Sequence, residues 1–506
     1  MKQIIGGVIL LLISVNVVFA QLSMPSIFTD GMVLQRSKPI HFWGKGMPGN
    51  TVEIVFANKV KKNIVKNDST WSLIFKKQKA NSVPQSIQIR SGEDNITLSN
   101  ILIGDLWLCI GQSNMEWPMA KEKHFKEEIK LAKQSLLRFY NATYAGKGFY
   151  NQTFPDSVLQ MLQEKDFYKG YWALSDSNSI KQMSAVGYYF GKEIVKNENI
   201  PVGLINLSIG GCPIETFISL DVLKQNSQFA PKTSGNWLNN NALPVWIRER
   251  GTQNVGNIAV RYSDQLGPNH PFKPSFAYAA GIEPLVQMHI KGAIWYQGES
   301  NAQEPERVRE YGDLQTLMVD DYRTKWKQPK MPFYWVQLSS IDTANYKSQY
   351  WPAFRDEQQK LLAKIKYGGM VVSSDIGAKD NVHPTNKKDI GQRLARWALN
   401  DSYKKRMVVS GPLPQKAIYK NGTIVINFNH VGKGLQTLGN ESLAGFSLDG
   451  KKEVHAAVKG RKVEIISKHK PPYIFYGWQP YSQGNLINTE GLPTSTFKIK
   501  VNSKNP

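Results

Sequence analysis

The sequence predicts an α/β protein, a mostly parallel sheet flanked by helices with accessory all-β segments at both ends. Two patterns predict it. From about residue 104 to 405, short apolar runs alternate with stretches of helical period. On either side of that region, short and partly alternating runs are separated by Gly, Pro and Asn turns.

Taken in order, the chain opens on Met1-Lys2, an apolar run from Ile4 to Val18, and Val18-Phe19-Ala20. One positive charge, a short hydrophobic region and small residues at its end describe a signal peptide over 1–20. The expectation is an exported protein, periplasmic or extracellular, with no membrane insertion after the signal is removed. Residues 21–103 read as a β-sandwich-like segment, with Val52–Phe56 and Ser86–Arg90 as strands and Pro48-Gly49-Asn50 as a turn.

The catalytic-type region is expected over 104–405. Val202–Leu207, Gly292–Tyr296, Phe333–Val336 and Met370–Val372 are apolar runs of the kind that parallel strands show when both faces are covered. Val308, Tyr311, Leu314, Met318, Tyr322 and Trp326 step by three or four and mark one helix face. Ile390, Leu394, Trp397 and Ala398 mark another. Within this region, 224–274 is rich in Asn, Pro and Gly and reads as an irregular insertion, a candidate wall for a site. From 406 to 506 strands return, with Thr423–Phe428 and Lys462–Ile466 flanking glycine turns.

Composition bounds the function. The 506 residues carry 63 Lys and Arg against 40 Asp and Glu, a formal charge of +23. That excess can favour anionic partners, but a generally solvated surface is the preferred account. The lysines are scattered rather than gathered in a motif, which with export argues against nucleic acid. Two cysteines, Cys109 and Cys212, do not make a disulfide scaffold; they read as buried apolar residues, with pairing the alternative if their strands adjoin. The chain has no zinc-type spacing, phosphate loop or dinucleotide fingerprint, so neither metal nor cofactor is expected.

The most informative segment is Ile101–Trp117, where a mostly apolar run stops at Gly111-Gln112-Ser113-Asn114. A buried strand running into a tight turn holds a hydroxyl at the carboxyl end of a sheet. A lone Gly-x-Ser is common, and a serine there needs a base to become a nucleophile. Asp380-Asn381-Val382-His383-Pro384 supplies an imidazole with a carboxylate close by in sequence. Other apolar runs end at Ser208–Gly211, Gln297–Asn301 and Asp375–Gly377. In a parallel sheet these turns gather at one edge.

Three motifs, Gly111–Trp117, Trp295–Ala302 and Asp380–Pro384, resemble the sialate O-acetylesterase family. That family belongs to the SGNH hydrolase group and also contains acetylesterases acting on plant polysaccharides. The resemblance implies an SGNH-hydrolase-like sheet and a Ser-His-Asp mechanism. Ser113 would be the nucleophile, His383 the base, and Asp380 the carboxylate that orients it. Glu299 is a rival orienter. The Ser113 and Gly211 backbone N–H groups suit the oxyanion, each such donor being worth about 3 kcal/mol of barrier. The resemblance adds a side-chain amide, from either Gln297 or Asn301. Asn114, Glu299 and His270 are candidate substrate contacts. The expected partner is an O-acetylated sugar, most of all sialic acid. Plant polysaccharides such as acetylxylan or xyloglucan are the alternative, and an inactive glycan-binding protein is the reading from another class.

Overall fold

The structure, a computed structural model, describes residues 21–256, 258 and 261–503. The signal-peptide reading of 1–20 lies outside these residues.

The centre is a sheet whose main path runs Trp172–Ser175, Gln134–Asn141, Val202–Asn206, Asp94–Gly111, Gly292–Tyr296, Phe333–Val336, Gly368–Val371. All neighbours on this path are parallel except the edge strand Trp172–Ser175, which is antiparallel to Gln134–Asn141. The apolar runs are strands because both faces are covered. Every residue of Val202–Asn206, Gly292–Tyr296 and Phe333–Val336 is buried. The fold is therefore mixed α/β around one large sheet, with further β segments at each end.

The helices follow their apolar stripes. Pro305–Lys325 begins on a proline, whose missing N–H costs nothing there, and buries Val308, Tyr311, Leu314, Met318 and Tyr322. Lys388–Tyr403 buries Ile390, Leu394, Trp397 and Ala398. It crosses Ala185–Glu198 closely at Gly391, where an added Cβ would lie 2.6 Å from the Tyr189 side chain. Ser184 caps Ala185–Glu198 by accepting the Gly187 N–H at 3.0 Å.

The segment before the central sheet is not separate from it. Asp94–Gly111 is one 18-residue strand, and the boundary expected at 103/104 falls inside it. Its first half pairs antiparallel with Asn81–Ser91 and its second half lies in the parallel sheet. One continuous core joins Leu22 through Leu413. The last segment has a core of its own around a seven-stranded sheet that includes Thr423–Asn429, Lys462–Ile466 and Phe497–Ser503. Arg355 is fully buried where the two meet, donating to Thr496 Oγ1 at 2.9 Å and to the carbonyls of Gly477 and Pro480 at 3.0 Å.

The 224–274 segment is built of short helices, Ala230–Thr233, Trp237–Asn239 and Val245–Gly251, and a hairpin of Ser263–Asp264 with Gly267–Pro268. Cys109 and Cys212 are buried free thiols.

Candidate active site

The Ser113 turn is forced by a close approach of two strands. Gly111 has φ 137°, and a Cβ there would sit 2.1 Å from the Tyr296 carbonyl oxygen, so only glycine fits. The next residue ties the turns together. Gln112 donates its backbone N–H to Tyr296 O at 2.9 Å, and its side-chain oxygen accepts the N–H groups of Gly298 and Ser300. The chain then coils into the short helix Ser113–Glu116, leaving Ser113 half-buried.

His383 arrives from the other end of the region. Its Nε2 lies 2.8 Å from Ser113 Oγ, across 270 residues of sequence. The Asn381 side chain accepts the His383 backbone N–H at 2.8 Å, which shapes the loop. The imidazole stacks on Trp117 with ring centres 5.1 Å apart. Burial, then the charges of Lys387 and Lys121, push its pKa down to about 4. A neutral imidazole beside a hydroxyl is a base ready to act.

Asp380 stands differently from the sequence expectation. It is exposed on the loop, and among the described residues it makes no hydrogen bond to the imidazole. The charged groups that act on His383 are lysines. The reason is local: the loop turns His383 inward through its own Asn381 contact and leaves Asp380 facing solvent.

Asn114 is not poised toward a ligand but holds three elements together. It is 1% exposed. Its Nδ2 donates to Glu299 Oε1 and, at 3.0 Å, to the carbonyl of Val382, the residue before His383. Its Oδ1 accepts from Lys387 Nζ. Lys387 is buried, with its pKa pushed down to about 7 by burial against the opposing pull of Glu299 and Glu122. Burial raises the Glu299 carboxyl, and its Oε2 has no partner among the described residues. Glu299 therefore bonds to Asn114, not to His383. Sequence reasoning missed Lys387, since a lysine at a helix start carries no signal of burial.

The turn Ser208–Gly211 lies beside the turn that carries Ser113, with Ile209 N–H donating to Gly111 O at 3.0 Å. Gly211 has φ 76° and faces Phe272, 3.1 Å from where a Cβ would be. The two amide candidates are both fully buried and bonded to protein. Gln297 Nε2 donates to Cys212 O at 3.2 Å and to Asn301 Oδ1 at 2.8 Å. Asn301 Nδ2 donates at 3.0 Å to Glu215, which is buried in an ion pair with Lys232. Both amides are spent inside the protein, bracing the Gln297–Asn301 turn. His270 is likewise internal, 1% exposed, bonded to Asn254 and stacked on Phe154. Burial and then the Arg250 charge hold its pKa down at about 3.

Two residues of the insertion wall the site and were not singled out in the sequence. Trp246 donates its indole N–H to Gly211 O at 3.2 Å, and Arg250 lies over the Trp246 ring. Among the described residues, no group of three or more His, Cys, Asp or Glu side chains could hold a metal ion, and no helix is long and apolar enough to cross a membrane.

Comparison with known proteins agrees with the motifs. Residues 277–400 match the model of a family described as carbohydrate esterase, sialic acid-specific acetylesterase. The chain is 26% identical over 438 residues to the sialate O-acetylesterase of Mus musculus, covering 79% of this chain and 77% of the mouse protein. It is 27% identical to that of Homo sapiens, over 77% of this chain and 73% of the human protein. The crystal structure of a carbohydrate acetylesterase from Xanthomonas citri superposes with a TM-score of 0.78 at 26% identity, covering 95% of this chain and 100% of the other. The resemblance to the sialate O-acetylesterase family holds on sequence and structure, and the chain is a carboxylic-ester hydrolase.

Proposed function

We propose that this hydrolase removes O-acetyl groups from sialic acids by a serine mechanism of the SGNH type. The observation that carries the reading is the 2.8 Å contact between Ser113 Oγ and His383 Nε2. Ser113 Oγ attacks the acetyl carbonyl carbon while His383 takes its proton. The Ser113 and Gly211 N–H groups stabilise the tetrahedral oxygen. His383 then returns the proton to the departing sugar oxygen, leaving acetyl-Ser113. Water attacks that ester, giving its proton to His383, and acetate leaves as Ser113 recovers its hydrogen.

Supporting this reading, burial and two neighbouring lysines keep His383 neutral well below neutral pH. Asp380 is the orienting carboxylate of the scheme and reaches Nδ1 only by turning in from solvent. The similarity to sialate O-acetylesterases supplies the substrate class.

The test is acetate release by the wild type and Ser113→Ala, side by side on O-acetylated sialic acid and acetylated xylan. Release from sialic acid by the wild type and loss in the folded variant are expected. Activity surviving in that variant removes Ser113 as nucleophile, and release from xylan alone moves the substrate to plant glycans.

A further inference from the structure

A sialic acid carries a carboxylate as well as its esters, and a site that reads it needs a cation with donors to spare. Arg250 lies on the helix Val245–Gly251, one turn after Trp246, so the two side chains share a helix face. Its guanidinium carbon is 4.6 Å from the centre of the Trp246 ring. Trp246 in turn donates to Gly211 O, which places this pair at the Ser208–Gly211 turn, next to the turn that carries Ser113.

Arg250 as a residue is 6% exposed, and no carboxylate acts on its guanidinium among the described residues. Nη1 donates to Asn151, and Nε is buried with no partner among them. The contrast with Arg355 is instructive, since that buried guanidinium donates into Thr496 and the carbonyls around it. Burying a charge without a counter-charge is costly, and an incoming anion recovers that cost. The groups that face Arg250 are Tyr150, Tyr346, the neutral His270 and the Trp246 ring. The charges of both Arg250 and Glu299 act on the Tyr346 phenol.

We propose that Arg250 binds the carboxylate of the acidic sugar and so determines specificity for O-acetylated sialic acid over neutral acetylated sugars. Arginine suits the task because its planar donors match a carboxylate. The tryptophan beneath it holds the guanidinium in place by a cation–π contact. This assignment rests on the sialate reading above.

The test compares kcat/KM on O-acetylated sialic acid and on the methyl ester of its carboxyl group, for wild type, Arg250→Gln and Arg250→Lys. The wild type should prefer the free acid by roughly 10- to 100-fold, the range of a charge-assisted hydrogen bond. That ratio should fall toward one in Arg250→Gln, mainly through KM, and recover in part in Arg250→Lys. Thermal melting and circular dichroism confirm that each variant is folded. An unchanged ratio in Arg250→Gln places the carboxylate elsewhere, on Lys121 for instance, and overturns the assignment. Equal losses on acid and ester assign Arg250 a purely structural role and also overturn it. A wild type that cleaves acetylated xylan but neither sialic compound shows instead that the substrate reading has failed.

Discussion

The indole of Trp117 lies against the imidazole of His383, with ring centres 5.1 Å apart and planes 23° from parallel. Trp117 closes the short helix that Ser113 opens, so one turn of chain fixes both the Ser113 hydroxyl and the face of the imidazole beside it. Replacing Trp117 with Leu should lower kcat by about 10- to 100-fold, the scale of a small misplacement at a reacting centre. Trp117→Phe, which keeps an aromatic face, should recover most of it. Steady-state kinetics on both variants check this, and equal activity in Trp117→Leu and wild type would mean the stack is incidental.

The acid limb of activity should report His383, the proposed base. Its base form persists down to about pH 4, so kcat/KM should hold through mild acid and fall as pH drops through that value. Of the two charges that disfavour the imidazolium, Lys387 has the larger effect. Lys387→Gln removes the charge and keeps a donor toward Asn114. The limb should then move up by roughly one unit, staying below the ordinary imidazole value because burial, the larger cause, remains. The same depression links to stability. The unfolded imidazole binds its proton from about pH 6.5 downward, so His383 contributes fully above that pH and its contribution is lost as pH falls toward 4. A pH–rate profile of Lys387→Gln that overlays the wild type would remove Lys387 from this account.

Asp380 faces solvent in the resting structure. If it turns in to hold Nδ1 during turnover, Asp380→Asn should reduce kcat by about tenfold or more with little change in KM. An unchanged kcat would show that Ser113 and His383 work as a pair, with Trp117 in place of an orienting carboxylate.

Gly111→Ala tests the turn itself. A side chain at φ 137° is strained, and its Cβ would fall 2.1 Å from Tyr296 O. Together, strain and overpacking should cost about 3 kcal/mol or more. Thermal melting measures it, and a melting temperature close to the wild type would refute the close-approach argument.

Much of the site was legible because its chemistry is carried by short contiguous motifs. Gly111–Asn114 and Asp380–Pro384 each announce a turn, and parallel strands must bring such turns to one edge. The two helix stripes beginning at Val308 and Ile390 were equally readable, because burial on one face imposes the 3.6-residue period. The supporting groups were not. Gln297 and Asn301 look alike as donors in a sequence, yet both amides are spent inside the protein. His270 looks like a ligand contact and is an internal aromatic neighbour.

The sequence by itself determined the α/β class, the order of the strand-end turns, and the serine and histidine that meet across 270 residues. Local pattern suffices there, since period, turn chemistry and motif are properties of neighbouring residues. Only the tertiary structure decided that Lys387 is buried beneath Asn114, that Asp380 faces water, and that Arg250 lies without a counter-charge over Trp246, at the Ser208–Gly211 turn. Burial and charge pairing depend on what distant segments bring to the same place. No local pattern encodes that, because desolvation and Coulomb interactions act through space rather than along the chain.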